Sequence, residues 1–154
     1  YFVQDKSGIF QFEDSIVTQE QEHQQKEIYV ETSQGERYKV QVEVADDEDE
    51  RTQGLMNRDE LGGNHGMLFL FENDSLSGFW MKDVIFDLDM IFANGEHEII
   101  YIEHSAQPCE ESPCTIYNPG TPYRYVLEVN GGWVQERDIE VGDTLNLGEI
   151  TSGS

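Results

Sequence analysis

From Ile28 onward the apolar residues of this chain recur at every second position, in short runs bounded by turn residues. Ile28, Val30 and Thr32 alternate with Tyr29 and Glu31, and Tyr38, Val40, Val42 and Val44 alternate with Lys39, Gln41 and Glu43. A period of two turns one face of an extended strand to a core, a pattern an amphipathic helix does not produce. Ser33-Gln34-Gly35 predicts a hairpin between these two strands, and Asn94-Gly95 predicts another between strands at 88–92 and 98–102. Further strands are expected at 66–71, 78–82, 123–129 and 141–147, with a long loop at 105–122 that holds both cysteines and all four prolines. Asp46 or Asp47, with an acid three residues on, predicts a short helix over 46–57, and 133–139 suits a second. The expected fold is mainly β: an antiparallel sandwich or small barrel of about eight strands with one or two short helices.

A chain of 154 residues suits one core. Residues 28–154 form the expected β domain. The Gln-rich residues 1–27 read as an arm or leader, with a patch (Ile9, Phe10, Phe12, Ile16, Val17) too apolar to be wholly solvated. Thirty-two acidic residues against nine Lys and Arg give a net charge of −23, spread along the chain rather than held in a tail. Such a surface repels DNA and anionic membranes, so no nucleic-acid partner is expected. It is tolerable where salt screens it, and the reading is of a salt-adapted, halophilic protein, with an ordinary acidic extracytoplasmic protein as the alternative. No apolar run is long enough for a membrane span.

Six motifs occur in order: Arg51-x-x-Gly54-Leu55-Met56-x-Arg58; Gly66-Met67-Leu68-Phe69-x-Phe71; Phe79-Trp80-Met81-Lys82; Leu88-Asp89-Met90-Ile91-Phe92; Pro108-Cys109 with Pro113-Cys114; and Tyr125-Val126-Leu127-Glu128-Val129. Together, over about residues 38–148, they resemble the Domain of Unknown Function 192 family. The resemblance implies a compact, mostly β domain with no established activity. It also implies export, to the periplasm or beyond the cell, behind a signal peptide or a lipid-anchored leader that is later removed. The chain departs from the family pattern after Lys82, where Asp83-Val84-Ile85-Phe86-Asp87 replaces a stretch that usually carries Asn and Pro.

Trp80, Lys82, Asp89, Glu128 and Arg51 are the candidate ligand-binding residues. On a strand, Trp80 and Lys82 would share a face, and with Asp89, Asp87 or Glu128 nearby they could hold an anionic or sugar ligand. The competing reading makes Lys82 a structural ion-pair partner packed along Trp80. Arg51 and Arg58, seven apart, could clamp a carboxylate or phosphate if the helix persists, or could tie it to a loop. The four methionines read as core. Cys109 and Cys114 suit a disulfide in an exported chain; the alternatives are a redox-active pair and a metal site, for which His104 is the only near His. No catalytic residue, cofactor or metal site is assigned. The expected function is an extracytoplasmic binding or accessory module with a small polar or carbohydrate ligand near Trp80 and Lys82. The alternative is a hydrolase acting on a glycan or other polar substrate.

Overall fold

The computed structural model describes residues 25–150; residues 1–24 of the expected arm, with its apolar patch, lie outside them, whereas Lys26 and Glu27 open the first strand instead. Seven strands form one strongly curled sheet: β1 (Lys26–Glu31), β2 (Arg37–Ala45), β3 (His65–Ser75), β4 (Leu88–Ala93), β5 (Ile99–Ala106), β6 (Tyr123–Asn130) and β7 (Thr144–Asn146). Their spatial order is β5-β4-β6-β3-β2-β1-β7. The fold is thus mainly β, a half-barrel with two short helices, α1 (Glu48–Gln53) and α2 (Trp133–Glu136). The two edges meet at one end: Ile99 N–H donates to Asp143 O at 2.8 Å, and Leu145 N–H donates to His97 O at 2.9 Å. Inside the curl, Ile28, Val30, Val40, Val42, Leu68, Leu127 and Trp133 belong to one buried cluster. The outer face carries a second cluster, including Met67, Phe69, Met90 and Val126, covered by the long loops.

Several expectations change in detail. The pairing is not wholly antiparallel, because β2 and β3 run parallel, from Gln41 opposite His65 to Ala45 opposite Phe69. Residues 46–64 supply the crossover, and α1 lies within it. The helix is shorter than 46–57. Asp47 caps it, accepting from Glu50 N–H in a capping box, and Gly54 ends it at φ 47°. That left-handed backbone favours glycine, and a Cβ there would lie 3.3 Å from the Phe69 ring. The predicted strand at 78–82 is not formed. Phe79 makes a single bridge to Tyr117, and the chain then turns through Asp83 at φ 61°, which breaks the alternation. Gly66 is required by packing: a Cβ would lie 2.4 Å from the Glu128 carbonyl oxygen, so its absence lets β3 and β6 approach.

Cys109 and Cys114 are disulfide-bonded, with Cα atoms 5.5 Å apart. Closing so short a loop contributes about 2 kcal/mol. Reduction is expected to lower the thermal midpoint by roughly 4–8 °C without unfolding the domain at room temperature. Unfolding on reduction would show that the loop holds the core together.

Candidate functional site

Between α1 and residues 75–84 the outer face of the sheet opens into a cleft of about 440 Å³. Its sheet side is built by alternation. Phe69 and Phe71 of β3, Leu88 of β4 and Glu128 of β6 line it. α1 and the turn after it supply Glu48, Arg51, Leu55 and Met56, and the opposite wall is Gly78, Phe79, Trp80 and Val84. Tyr123 O–H donates to Ser77 O at 2.6 Å and fixes that wall. Behind it the rings of Phe69 and Phe79 meet edge to face at 5.0 Å, and those of Phe92 and Tyr123 at 5.0 Å. Such pairs are worth about 0.5–1.5 kcal/mol each beyond their burial.

Glu128 is the unusual member of the cleft. It lies between Met67 of β3 and Met90 of β4 and is only 4% exposed. Burial alone pushes its carboxyl up to about 8, with no hydrogen bond or neighbouring charge contributing. A buried carboxyl without a partner is costly and stays protonated at neutral pH. Arg51 is half-buried on the facing wall. One guanidinium nitrogen donates to Leu70 O at 2.7 Å, and the group lies 4.9 Å from the Phe71 ring centroid.

The structure brings Arg51, Trp80 and Glu128 to one cleft but leaves Lys82 and Asp89 outside it. Lys82 lies on the far side of Trp80, in a shallow groove shared with Asp83 and the disulfide loop. Its ammonium is 5.4 Å from the Trp80 ring centroid, so the two side chains do meet, through a turn rather than a strand. Trp80 is 44% exposed and forms the ridge between cleft and groove. Asp89 is wholly buried on the inner face and accepts from three backbone N–H groups: Ser105 at 2.8 Å, Gly132 at 3.2 Å and Val134 at 2.9 Å. Its carboxylate fastens the start of α2 and the end of β5. Asp87 accepts from the Gln107 amide at 3.0 Å. Arg58 is held by Glu43, with one contact of 2.8 Å, and ties the turn after α1 to β2.

The sequence reading missed Phe71, Phe79 and Glu48 as parts of the cleft. Phe69-x-Phe71 carried the signal for the first, since residues two apart on a strand share a face. Asp46, Asp47 and Glu50 also bring carboxylate oxygens within 4.8 Å of one another, but Asp47 and Glu50 are already engaged in capping α1. Among the described residues no helix is long and apolar enough to cross a membrane.

Known proteins add a family to this geometry. A UPF0127 protein of Pyrococcus furiosus is 27% identical over 118 residues, spanning 73% of this chain and 91% of the relative. A Sinorhizobium meliloti protein, whose name proposes a transcription regulator, superposes with a TM-score of 0.75 at 33% identity, covering 80% of this chain and 94% of that one. A Novosphingobium aromaticivorans protein of unknown function superposes with a TM-score of 0.73 at 31% identity, over 79% and 84% of the two chains. Residues 29–147 match the DUF192 family, described as "Uncharacterized ACR". On that match the chain belongs to the DUF192 family.

Proposed function

We propose that this domain is an extracytoplasmic binding or accessory module whose small polar or anionic ligand occupies the cleft beside Trp80. The observation that carries this reading is Glu128, a buried carboxyl left without a partner in a cleft of mixed polar and aromatic lining. A concavity of this size in which polar groups (Arg51, Ser75, Ser77, Glu128) converge beside aromatic walls is the usual mark of a small-molecule site. A disulfide supports an oxidising compartment. The net charge of −23 speaks against the DNA binding that one relative's name would suggest. Binding is favoured over hydrolysis by a serine or cysteine nucleophile because the cleft lining offers no His or Cys beside Ser75 or Ser77.

The test is protein-observed NMR screening against small acids, sugars and amides. Ligands should shift the backbone signals of Gly54, Phe71 and Trp80 together, and Arg51→Met should weaken that response. Shifts confined to the disulfide groove, or none, would reject the cleft as the site.

A further inference from the structure

We infer that the cleft takes a carboxylic acid with a compact apolar or aromatic body, its carboxylate shared between the Arg51 guanidinium and the Glu128 carboxyl. This deepens the binding reading above and rests on it. The charged groups that line the cleft are Glu48 and Arg51 from α1 and Glu128 from β6; β3, β4 and residues 75–84 contribute none.

Arg51 is conspicuous in so acidic a chain. Arg37, Lys39, Arg58, Arg124 and Arg137 each hold a carboxylate. Among the described residues Arg51 makes no ion pair, a distinction it shares with Lys26 and Lys82. With one nitrogen spent on Leu70 O, a guanidinium keeps N–H donors for an incoming anion. Glu128 complements it. As a neutral acid it has one O–H to donate, and a ligand carboxylate is the acceptor that makes that bond charge-assisted.

Other ligand chemistries fit less well. An ammonium would have to settle beside the Arg51 guanidinium. A sugar would find Thr52, Gln53, Ser75 and Ser77 for a few of its hydroxyls, but Phe69, Phe71, Phe79, Leu55 and Val84 for the rest, where unmatched polar groups are costly. The same walls suit an aliphatic or aromatic body. The overall negative charge opposes any anion at long range, but at physiological salt that repulsion is screened beyond about 8 Å, leaving the local guanidinium to decide.

The consequence is proton-linked binding. Arg51 keeps its charge throughout the accessible range, so the titrating partner is Glu128, pushed up to about 8. Above that pH, carboxylate would face carboxylate and affinity should fall.

Calorimetric or NMR titrations of the intact chain with phenylacetate, 2-phenylacetamide and phenethylamine test this directly. Phenylacetate should bind best, losing about tenfold in affinity between pH 6.5 and pH 9. Glu128→Gln, whose amide still donates, should bind it with no such pH dependence, and Arg51→Met should weaken it about tenfold or more. Preference for the amine or the amide, or acid binding equal at both pH values, would overturn the carboxylic-acid assignment while leaving the cleft as a binding site. Silence of the cleft signals toward all three probes would remove the acid assignment. The cleft itself falls only if the wider NMR screen is silent too.

Discussion

Raising the pH from 5 to 8 is expected to destabilise the wild-type domain by several kcal/mol more than it destabilises Glu128→Gln. In the unfolded chain Glu128 ionises near the ordinary glutamate value of 4.5, whereas in the fold it holds its proton up to about 8. Across that window the folded state binds more protons than the unfolded one, so stability falls as pH rises and levels off above the folded value. At about 1.4 kcal/mol per pH unit, the loss amounts to roughly 3–5 kcal/mol over the full window. Other carboxylates also change charge here, and a chain of net charge −23 has its own self-repulsion. Both are common to the two proteins and cancel in their difference. Glutamine carries an amide that is itself short of partners, so the variant should start level with or below the wild type at pH 5 and overtake it by pH 8. Urea unfolding at four pH values and fixed salt checks this. Parallel curves would mean that Glu128 is solvated or paired.

The second large effect belongs to Asp89. Removing its carboxylate leaves the Ser105, Gly132 and Val134 N–H groups without their acceptor, at a place where Asp89 itself is wholly buried. Hydrogen bonds to charged groups contribute about 1.5–3 kcal/mol each, and buried donors left unmet cost a similar amount. These terms overlap, and Asp89→Ala should lose about 3–6 kcal/mol, lowering the midpoint by roughly 10 °C or more. Asp89→Asn should fall between. One oxygen can still accept from Ser105 and Gly132, while its amide turns N–H against Val134 N–H. An alanine variant within about 1 kcal/mol of wild type would contradict the structural role.

Asp89 and Glu128 also show where the sequence stops being informative. Each is a lone acid in an apolar strand, at Leu88-Asp89-Met90 and Leu127-Glu128-Val129, and nothing local separates them. Both faces of β4 and β6 are buried, so alternation cannot say which face meets a ligand. What separates the two residues is distant in the chain: three backbone donors converge on Asp89, while Glu128 faces a cavity roofed by α1 and residues 75–84. The strands themselves were legible because alternation and turn residues are local signals, as at 28–32, 38–44 and the Asn94-Gly95 turn. The capping box of α1 was legible for the same reason. The parallel β2–β3 pair was not, since a crossover through residues 46–64 looks the same as a loop to an antiparallel neighbour. Phe79-Trp80-Met81-Lys82 misled because its strand-like composition answers to a single bridge with Tyr117 and a left-handed Asp83. Trp80 and Lys82 still come together, and Arg51 enters the cleft although α1 stops at Gln53.

The central claim is that the cleft floor carries a protonated carboxyl held ready for a ligand. Titration of the Glu128 side-chain carboxyl by carbon NMR, with the signal assigned through Glu128→Gln, measures it directly. The account predicts half-titration near 8, as burial without a partner requires. Half-titration in the ordinary glutamate range, near 4.5, would mean an open or paired carboxylate and would contradict it.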